Sequence, residues 1–300
     1  MKKLKLGIIG LSEGNGHPYS WSSIFNGYNK EEMDKCPFPV IPEYLSRQLF
    51  PGDFLTDLAA VTHIWTQDEI TSNHVALASR IPNVVKSKIE MLGQVDGILL
   101  ARDDAEFHFE MAIPFIEAGL PIFIDKPFSL TVAEANKMLL SQHYDGQIFT
   151  CSALRYAKEL HLTPEEQESL GPINYAEGSV MKKWETYGIH ILEPLVAQFP
   201  NRGRLISVRP QRFNEVHLVL IQWENLLASL KVTGSIPVSL TLGFYGKKKV
   251  INKTFFDSFS CFREAMKTFV DVIVTRKNAI DTKEVLELVT IIEKGRCLEY

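Results

Sequence analysis

The stretch Phe-Ile-Asp-Lys-Pro-Phe-Ser-Leu at 123–130 ends an apolar run on a cation. Lysine is a poor interior residue, yet Lys126 follows the run directly, with Asp125 beside it. Pro127 behind it has a fixed φ and steers its predecessor away from helical geometry. A lysine positioned in this way and partly desolvated can give or take a proton near neutral pH, as a general acid–base group must. A second candidate is His190, in the apolar stretch "YGIHILEPL" (187–195). Its imidazole can hold a hydroxyl or relay its proton, although a lone histidine on an apolar helix is more often a satisfied core residue. The third feature is the turn Gly10-Leu-Ser-Glu-Gly14-Asn-Gly16, directly after a short apolar run. Glycines there let backbone approach a phosphate group.

Chemistry of this kind needs a frame. Leu4 to Leu11 reads as a buried strand entering the glycine turn and then a helix. "LAAVTHIW" (58–65), "VDGILLA" (95–101) and "PIFID" (121–125) read as further buried strands. Between them, "SNHVALASRI" is a helix started by Ser72 or Asn73. "DAEFHFEMAIPFIEAG" is another, with Asp104 as N-cap and Gly119 as the terminal glycine. Alternating strands and helices predict a Rossmann-type, doubly wound parallel sheet over residues 1–126, with ligands at the carboxyl ends of its strands. Asp125 and Lys126 lie at such an end. Residues 30–57, with prolines at 37, 39, 42 and 51, read as a surface insertion.

After Pro127 the pattern changes. "SLTVAEANKMLLSQ" reads as a helix, "QIFTCSALRY" and "INYAEGSV" as strands, and "YGIHILEPLVAQF" as a helix. Then "RLISVRPQRF", "VHLVLIQWEN", "LLASLKVTG" and "SLTLGFYG" form a meander of strands, and two helices close the chain. Residues 127–300 are thus expected to be an α+β domain with a large open, mostly antiparallel sheet.

Composition narrows the function. Net charge is −4 over 300 residues, with 23% charged, so no electrostatic footprint for nucleic acid is expected. Lys247-Lys248-Lys249 reads as a solvated hairpin turn. Cys36, Cys151, Cys261 and Cys297 show no CxxC spacing, which favours reduced thiols in a cytoplasmic protein over a metal or redox motif. The basic, apolar start breaks at Ser12-Glu13-Gly14, too short for a signal peptide. No window reaches the length of a membrane span.

The block "HFEMAIPFIEAGLPIFIDKPFSLTVAEANKML" (108–139) resembles the Gfo/Idh/MocA oxidoreductase family in its H-x-x-x-A…AG…EKP-x-(S/A)-L…EA pattern. "YGIHILEPL" resembles that family's D-x-G-x-H-x-x-D segment, and "AIDTKEVLELVTIIEKG" its last helix. The resemblance implies hydride transfer between a nicotinamide cofactor and a sugar or polyol carbon. It makes Lys126 the match of the catalytic lysine and His190 that of the active-site histidine, with Asp125 in place of the usual glutamate. It further implies a homo-oligomer, dimer or tetramer, using an open sheet face. A nucleotide-linked sugar of surface-polysaccharide synthesis is the leading substrate class. Redox-assisted hydrolysis or epimerisation with retained cofactor is an alternative, as is a non-catalytic sugar-binding protein.

Three departures from the family pattern stand out. Ser12 occupies the second glycine position, and Glu13 brings a negative charge near phosphate. The acidic residue expected after the second strand to hold ribose is missing; His63 stands there, with Gln67 or Asp68 as substitutes. No arginine is close in sequence, which favours NAD, with NADP left open. The aspartate four before the histidine is Thr186, with Glu185 adjacent. By the resemblance, the cofactor set is expected to be Gly10, Ser12, Glu13, Gly14, Arg102, Asp103 and Asp125. Substrate contacts are expected from Arg155, Lys182, Trp184 and Tyr187, and "GHPYSW" (16–21) reads as part of a substrate or cofactor mouth. No metal is expected.

Overall fold

The computed structural model describes residues 3–296. The chain forms two compact units, and neither is a continuous segment. The first comprises the residues up to Phe128, Asn136–Thr150 and Phe262–Asp281; the second comprises Ser129–Ala135, Cys151–Cys261 and the residues from Thr282. The boundary read at 126/127 falls beside the first crossing only.

The first unit is built on six parallel strands: β1 (Leu4–Ile9), β2 (Ala59–Trp65), β3 (Asn83–Val84), β4 (Gly97–Leu100), β5 (Ile122–Ile124) and β6 (Ile148–Thr150). Their spatial order is β3-β2-β1-β4-β5-β6, with a reversal of direction at β1 and β4. Strands β4 and β5 are buried throughout, which is why they read as unbroken apolar runs. Helices α1 (His17–Asn26), α4 (Glu69–Ala78) and α5 (His108–Glu117) connect them, and α2 (Lys30–Met33) and α3 (Val40–Ser46) lie in the insertion. An aromatic core joins α1 to the sheet: Trp21 stacks on Phe123 at 4.8 Å, and Phe123 meets Phe149 edge-on at 4.7 Å. Phe269, from the second half of α10 (Ser258–Thr275), stacks on Phe149 at 6.1 Å.

Several readings are corrected here. "QIFTCSALRY" does contain a strand, but it is the sixth strand of this sheet and ends at Thr150. Strand β3, two residues long, carries no periodicity to read. Helix α4 begins at Glu69 and is capped by Asp68, whose carboxylate accepts from the Thr71 N–H at 2.9 Å. Ser72 is instead buried inside it, its hydroxyl accepting from the Thr66 N–H. Strand β2 runs on to Trp65, so His63 lies within the strand and not at its end. The insertion packs on the start of α1. A Cβ on Gly16 would stand 2.6 Å from the Phe38 ring, and the Tyr44 hydroxyl donates to Ser20 at 2.5 Å.

The second unit holds a six-stranded sheet of β7 (Ile173–Val180), β8 (Leu205–Phe213), β9 (Val216–Trp223), β10 (Leu227–Val232), β11 (Thr241–Gly246) and β12 (Val250–Thr254). The order is β12-β11-β7-β10-β9-β8. All pairs are antiparallel except β7 with β10, so the expected meander is broken by one parallel pairing. Lys247 to Lys249 form the β11–β12 turn, as read. One sheet face is buried under α9 (Ile189–Gln198) and α11 (Thr282–Lys294). Gly178 of β7 admits α9 closely, since a Cβ there would lie 3.1 Å from Ile191. Helix α7 (Pro164–Leu170) and the single turn α8 (Trp184–Tyr187) belong to this unit, whereas α6 (Val132–Leu140) is shared, its residues from Asn136 on belonging to the first. Among the described residues, Cys36, Cys151 and Cys261 are buried thiols that form no disulfide; Cys297 lies outside them.

Candidate functional site

In the first unit, β1 and β4 are hydrogen-bonded neighbours with Ile9 opposite Leu100, so the turns that follow them leave the sheet side by side. Ser12 turns its hydroxyl onto the second of these turns. Its Oγ donates to Asp103 Oδ1 at 2.6 Å and accepts from the Asp103 N–H at 3.1 Å. Lys126 Nζ donates to the other oxygen, Asp103 Oδ2, at 3.2 Å. Burial opposes the Asp103 charge, but Lys126, the Ser12 hydroxyl and the nearby His17 outweigh it and hold the carboxyl below its ordinary range. Lys126 is 5% exposed. Glycine turn, β4 turn and strand-end lysine are thereby tied into one chain of contacts.

Asp125 does something else. It is 1% exposed, and its carboxylate accepts from the Lys126 N–H at 2.8 Å, Asn15 Nδ2 at 2.9 Å and His17 Nδ1 at 2.5 Å. Three donors of its own chain engage it, so that it braces β5 against the glycine turn. His17 opens α1. Its ring stacks on Trp21 at 4.8 Å and meets Phe262 edge-on at 5.0 Å, leaving the side chain 18% exposed.

Arg102, 6% exposed, is closed by Asp104 through Nε at 2.9 Å and Nη2 at 2.5 Å. Its Nη1 donates to Gln67 Oε1 at 3.1 Å. Gln67 accepts from the Leu11 N–H at 3.0 Å and donates to the Leu11 carbonyl. Both substitutes for the ribose acid are therefore engaged: Gln67 closes the glycine turn and Asp68 caps α4. The sequence showed no arginine near the end of β2, whereas the fold brings Arg102 there from the β4 turn. Glu13 and Gly14 form the exposed tip, with Gly14 at φ +76°.

In the second unit, His190 lies in the first turn of α9, half-buried. Its Nδ1 is 2.8 Å from Ser152 Oγ, and Tyr187 meets its ring edge-on at 5.1 Å. The exposed Lys182 donates to the Tyr187 hydroxyl at 2.5 Å and lies 4.2 Å from that ring's centre. Lys182, Tyr187 and His190 are thus contiguous. Trp184 is not with them: it is 1% exposed and its indole donates to the Ile292 carbonyl at 3.0 Å. The substrate contact expected of it is corrected to a core role beneath α11.

Arg155 is likewise drawn inward. Its Nη1 lies 2.6 Å from Glu284 and 3.5 Å from Glu193. Burial works against its charge, but the two carboxylates outweigh this and raise its pKa. Glu193, three residues past His190, accepts from the Ser152 N–H at 2.6 Å. Its Oε1 is buried without a hydrogen-bond partner among the described residues. Burial pushes its carboxyl up to about 7, and Arg155, whose better bond is to Glu284, offsets this only partly. Sequence reasoning did not single out Asn15, Ser152 or Glu193, and it reached His17 only as part of a longer stretch. "GHPYSW" was a signal for His17, and an acid inside an apolar helix was one for Glu193.

Among the described residues, no group of three or more histidine, cysteine, aspartate or glutamate side chains could hold a metal ion. Residues 45–151 match the family model described as oxidoreductase family, NAD-binding Rossmann fold. None of the curated proteins compared matches the sequence. Solved structures match along nearly the whole chain. Apo scyllo-inositol dehydrogenase from Lactobacillus casei is 13% identical with a TM-score of 0.70, covering 98% of this chain and 96% of its own. UDP-N-acetylglucosamine 3-dehydrogenase GnnA from Acidithiobacillus ferrooxidans is 12% identical with a TM-score of 0.69, covering 99% and 97%. Biliverdin reductase from Synechocystis sp. PCC 6803, solved with biliverdin and NADP+, is 14% identical with a TM-score of 0.68, covering 97% of both chains. At these identities the likeness is one of fold. The family match begins after the glycine turn, where this sequence departs most from the family pattern. Residues 45–151 are thus similar to the Gfo/Idh/MocA oxidoreductase family, and the chain as a whole shares its fold with the dehydrogenases named above.

Proposed function

We propose that the chain is an NAD(P)-dependent dehydrogenase acting on a CH–OH carbon of a sugar or nucleotide-linked sugar, with NAD the favoured cofactor. The observation that supports this best is the Ser12–Asp103–Lys126 chain, which ties a buried lysine to the glycine turn of an NAD-binding fold. The turn fits a dinucleotide. Gly14 is left-handed with open space where a Cβ would stand, and the Ser12 hydroxyl is folded onto Asp103, so it does not screen the backbone at the second glycine position. Among the relatives in fold, two are named as dehydrogenases of a polyol and of a nucleotide sugar.

When bound, the nicotinamide accepts or supplies the hydride. Lys126 donates to the reacting oxygen and moves the proton there, with Asp103 fixing its Nζ. In the second unit, His190 holds a substrate hydroxyl, its ring fixed by Ser152 and Tyr187. Lys182 and Tyr187 supply a cation and an aromatic face suited to a sugar. Buried thiols outside any disulfide accord with a cytoplasmic location, and among the described residues no helix is long and apolar enough to cross a membrane. Leu218 and Leu220 of β9 lie half-buried on the face opposite the buried Val219 and Ile221, which suits a homo-oligomer formed through that sheet.

Calorimetry with NAD and NADP, followed by turnover on a panel of sugars and UDP-sugars, tests the reading. Lys126→Met is expected to keep the fold and much of the dinucleotide affinity while losing at least ~100-fold in turnover. Near-wild-type turnover would remove Lys126 from the mechanism. Failure to bind either dinucleotide would overturn the reading as a whole and favour a sugar-binding protein without catalysis.

A further inference from the structure

The first turn of α1 is a poor phosphate cradle. In dinucleotide folds the first N–H groups of this helix, with its dipole, meet the diphosphate. Here the His17 N–H is taken by Asn15 Oδ1 at 2.8 Å, and Pro18 has none. The N–H groups of Tyr19 and Ser20 both go to the Gly16 carbonyl, at 3.1 and 3.3 Å. The glycine turn itself carries no lysine or arginine, and Glu13 adds a negative charge. The neighbouring cations are committed, Lys126 to Asp103 and Arg102 to Asp104. The first turn of α1 and the side chains beside it therefore offer the diphosphate little free positive charge.

His17 is built for it. Asp125 already accepts from Asn15 and from the Lys126 N–H, and an ionised carboxylate can only accept. His17 Nδ1 must therefore carry its proton toward Asp125, 2.5 Å away. That leaves Nε2 as the nitrogen whose state can change. Trp21 and Phe262 pin the ring without supplying a hydrogen-bond partner, and the side chain keeps 18% exposure. The charged groups that face it are Asp125, after β5, and Asp103 from the β4 turn. From α10 it meets the apolar Phe262, whose neighbour Arg263 is occupied by the Asp53 carbonyl and Glu264.

We propose that His17, oriented by Asp125, takes up a proton when the dinucleotide binds and donates from Nε2 to its diphosphate. This rests on the cofactor reading above. Added negative charge beside an imidazole favours the imidazolium, so binding tightens as pH falls, by at most ~10-fold per pH unit for one linked proton.

The test is calorimetric titration of the full chain with NADH in buffers of different ionisation enthalpy. Uptake of a fraction of a proton to one proton per site is expected around neutral pH. His17→Asn keeps an N–H at the Nδ1 position for Asp125 and cannot ionise; it should bind NADH more weakly and abolish the uptake. His17→Gln, which keeps a polar atom near the Nε2 position, should abolish it too and serves if the first variant does not fold. Wild-type binding without proton uptake, or uptake that survives in either folded variant, overturns this inference and leaves the cofactor reading standing. No NADH binding at all overturns both, and that result is recognisable because the wild type itself is silent.

Discussion

Glu193 sets the electrostatics of the second unit at the scale of a single residue. Two guanidinium groups, Arg155 and Arg202, face three carboxylates, Glu193, Glu284 and Glu287, and the buried Glu193 is the one left short of partners. In the unfolded chain it ionises near 4.5, whereas in the fold it does so only at about 7. A carboxyl whose pKa is raised by folding binds its proton more tightly in the native state. Stability from this group is full below 4.5 and is lost as pH rises to about 7, by on the order of 3 kcal/mol at most. Glu193→Gln keeps an acceptor for the Ser152 N–H and removes this loss. Melting temperatures at pH 5 and pH 8 should therefore show the variant gaining on the wild type at the higher pH. Comparing the two proteins cancels the half-buried His161 and the buried His217, which act in the opposite sense in acid. Equal pH dependence in both would mean that Glu193 ionises normally. The sequence made Lys126 legible, because core packing alone does not call for an apolar run that ends on a cation before proline. It misled at Trp184. A tryptophan beside lysines reads like a sugar platform, and its burial is decided by Ile292, 108 positions on.

At the scale of the element, β4 and β5 were readable because they are buried on both faces and have no polar residue to blur them. The start of α4 was not. Asp68, Ser72 and Asn73 are all good capping residues, and propensity cannot choose between them. The structure decides by geometry. Asp68 is extended (φ −126°) and its carboxylate reaches the Thr71 N–H, whereas Asn73 is an exposed helical residue bonded back to the Glu69 carbonyl. Asp68→Ala should cost ~1 kcal/mol in urea denaturation, and Asn73→Ala should stay within ~0.5 kcal/mol of the wild type. The opposite order would put the helix start back at Ser72 or Asn73. Strand β6 shows a related limit. Its short Ile-Phe-Thr stretch announces a strand, but the sheet it joins is settled by its pairing with β5.

At the scale of the whole molecule, sequence order and spatial order part company. A cut at 126/127 suits a chain whose domains follow one another, but the first unit draws on two later segments, 136–150 and 262–281. The first brings β6, the strand that pairs with β5 through Ile122, Phe123 and Ile124. The second brings Phe269 and Ile273, which close on Phe123, Phe149 and the bare backbone of Gly97. A fragment of residues 1–126 would keep the glycine turn and Lys126. It would lose one whole neighbour of β5 and much of the aromatic core against which Trp21 and Phe123 are packed. Exposing that many aromatic side chains removes several contributions of ~3 kcal/mol or more, against a total stability of only ~5–15 kcal/mol for a typical domain. The uncovered edge of β5 would also offer itself to other chains. The fragment is therefore expected to aggregate, or to give no protected amide core in hydrogen exchange, under conditions where the full chain is folded. A soluble 1–126 fragment with native-like protection in β1, β4 and β5 would show that the later segments only decorate a unit complete without them.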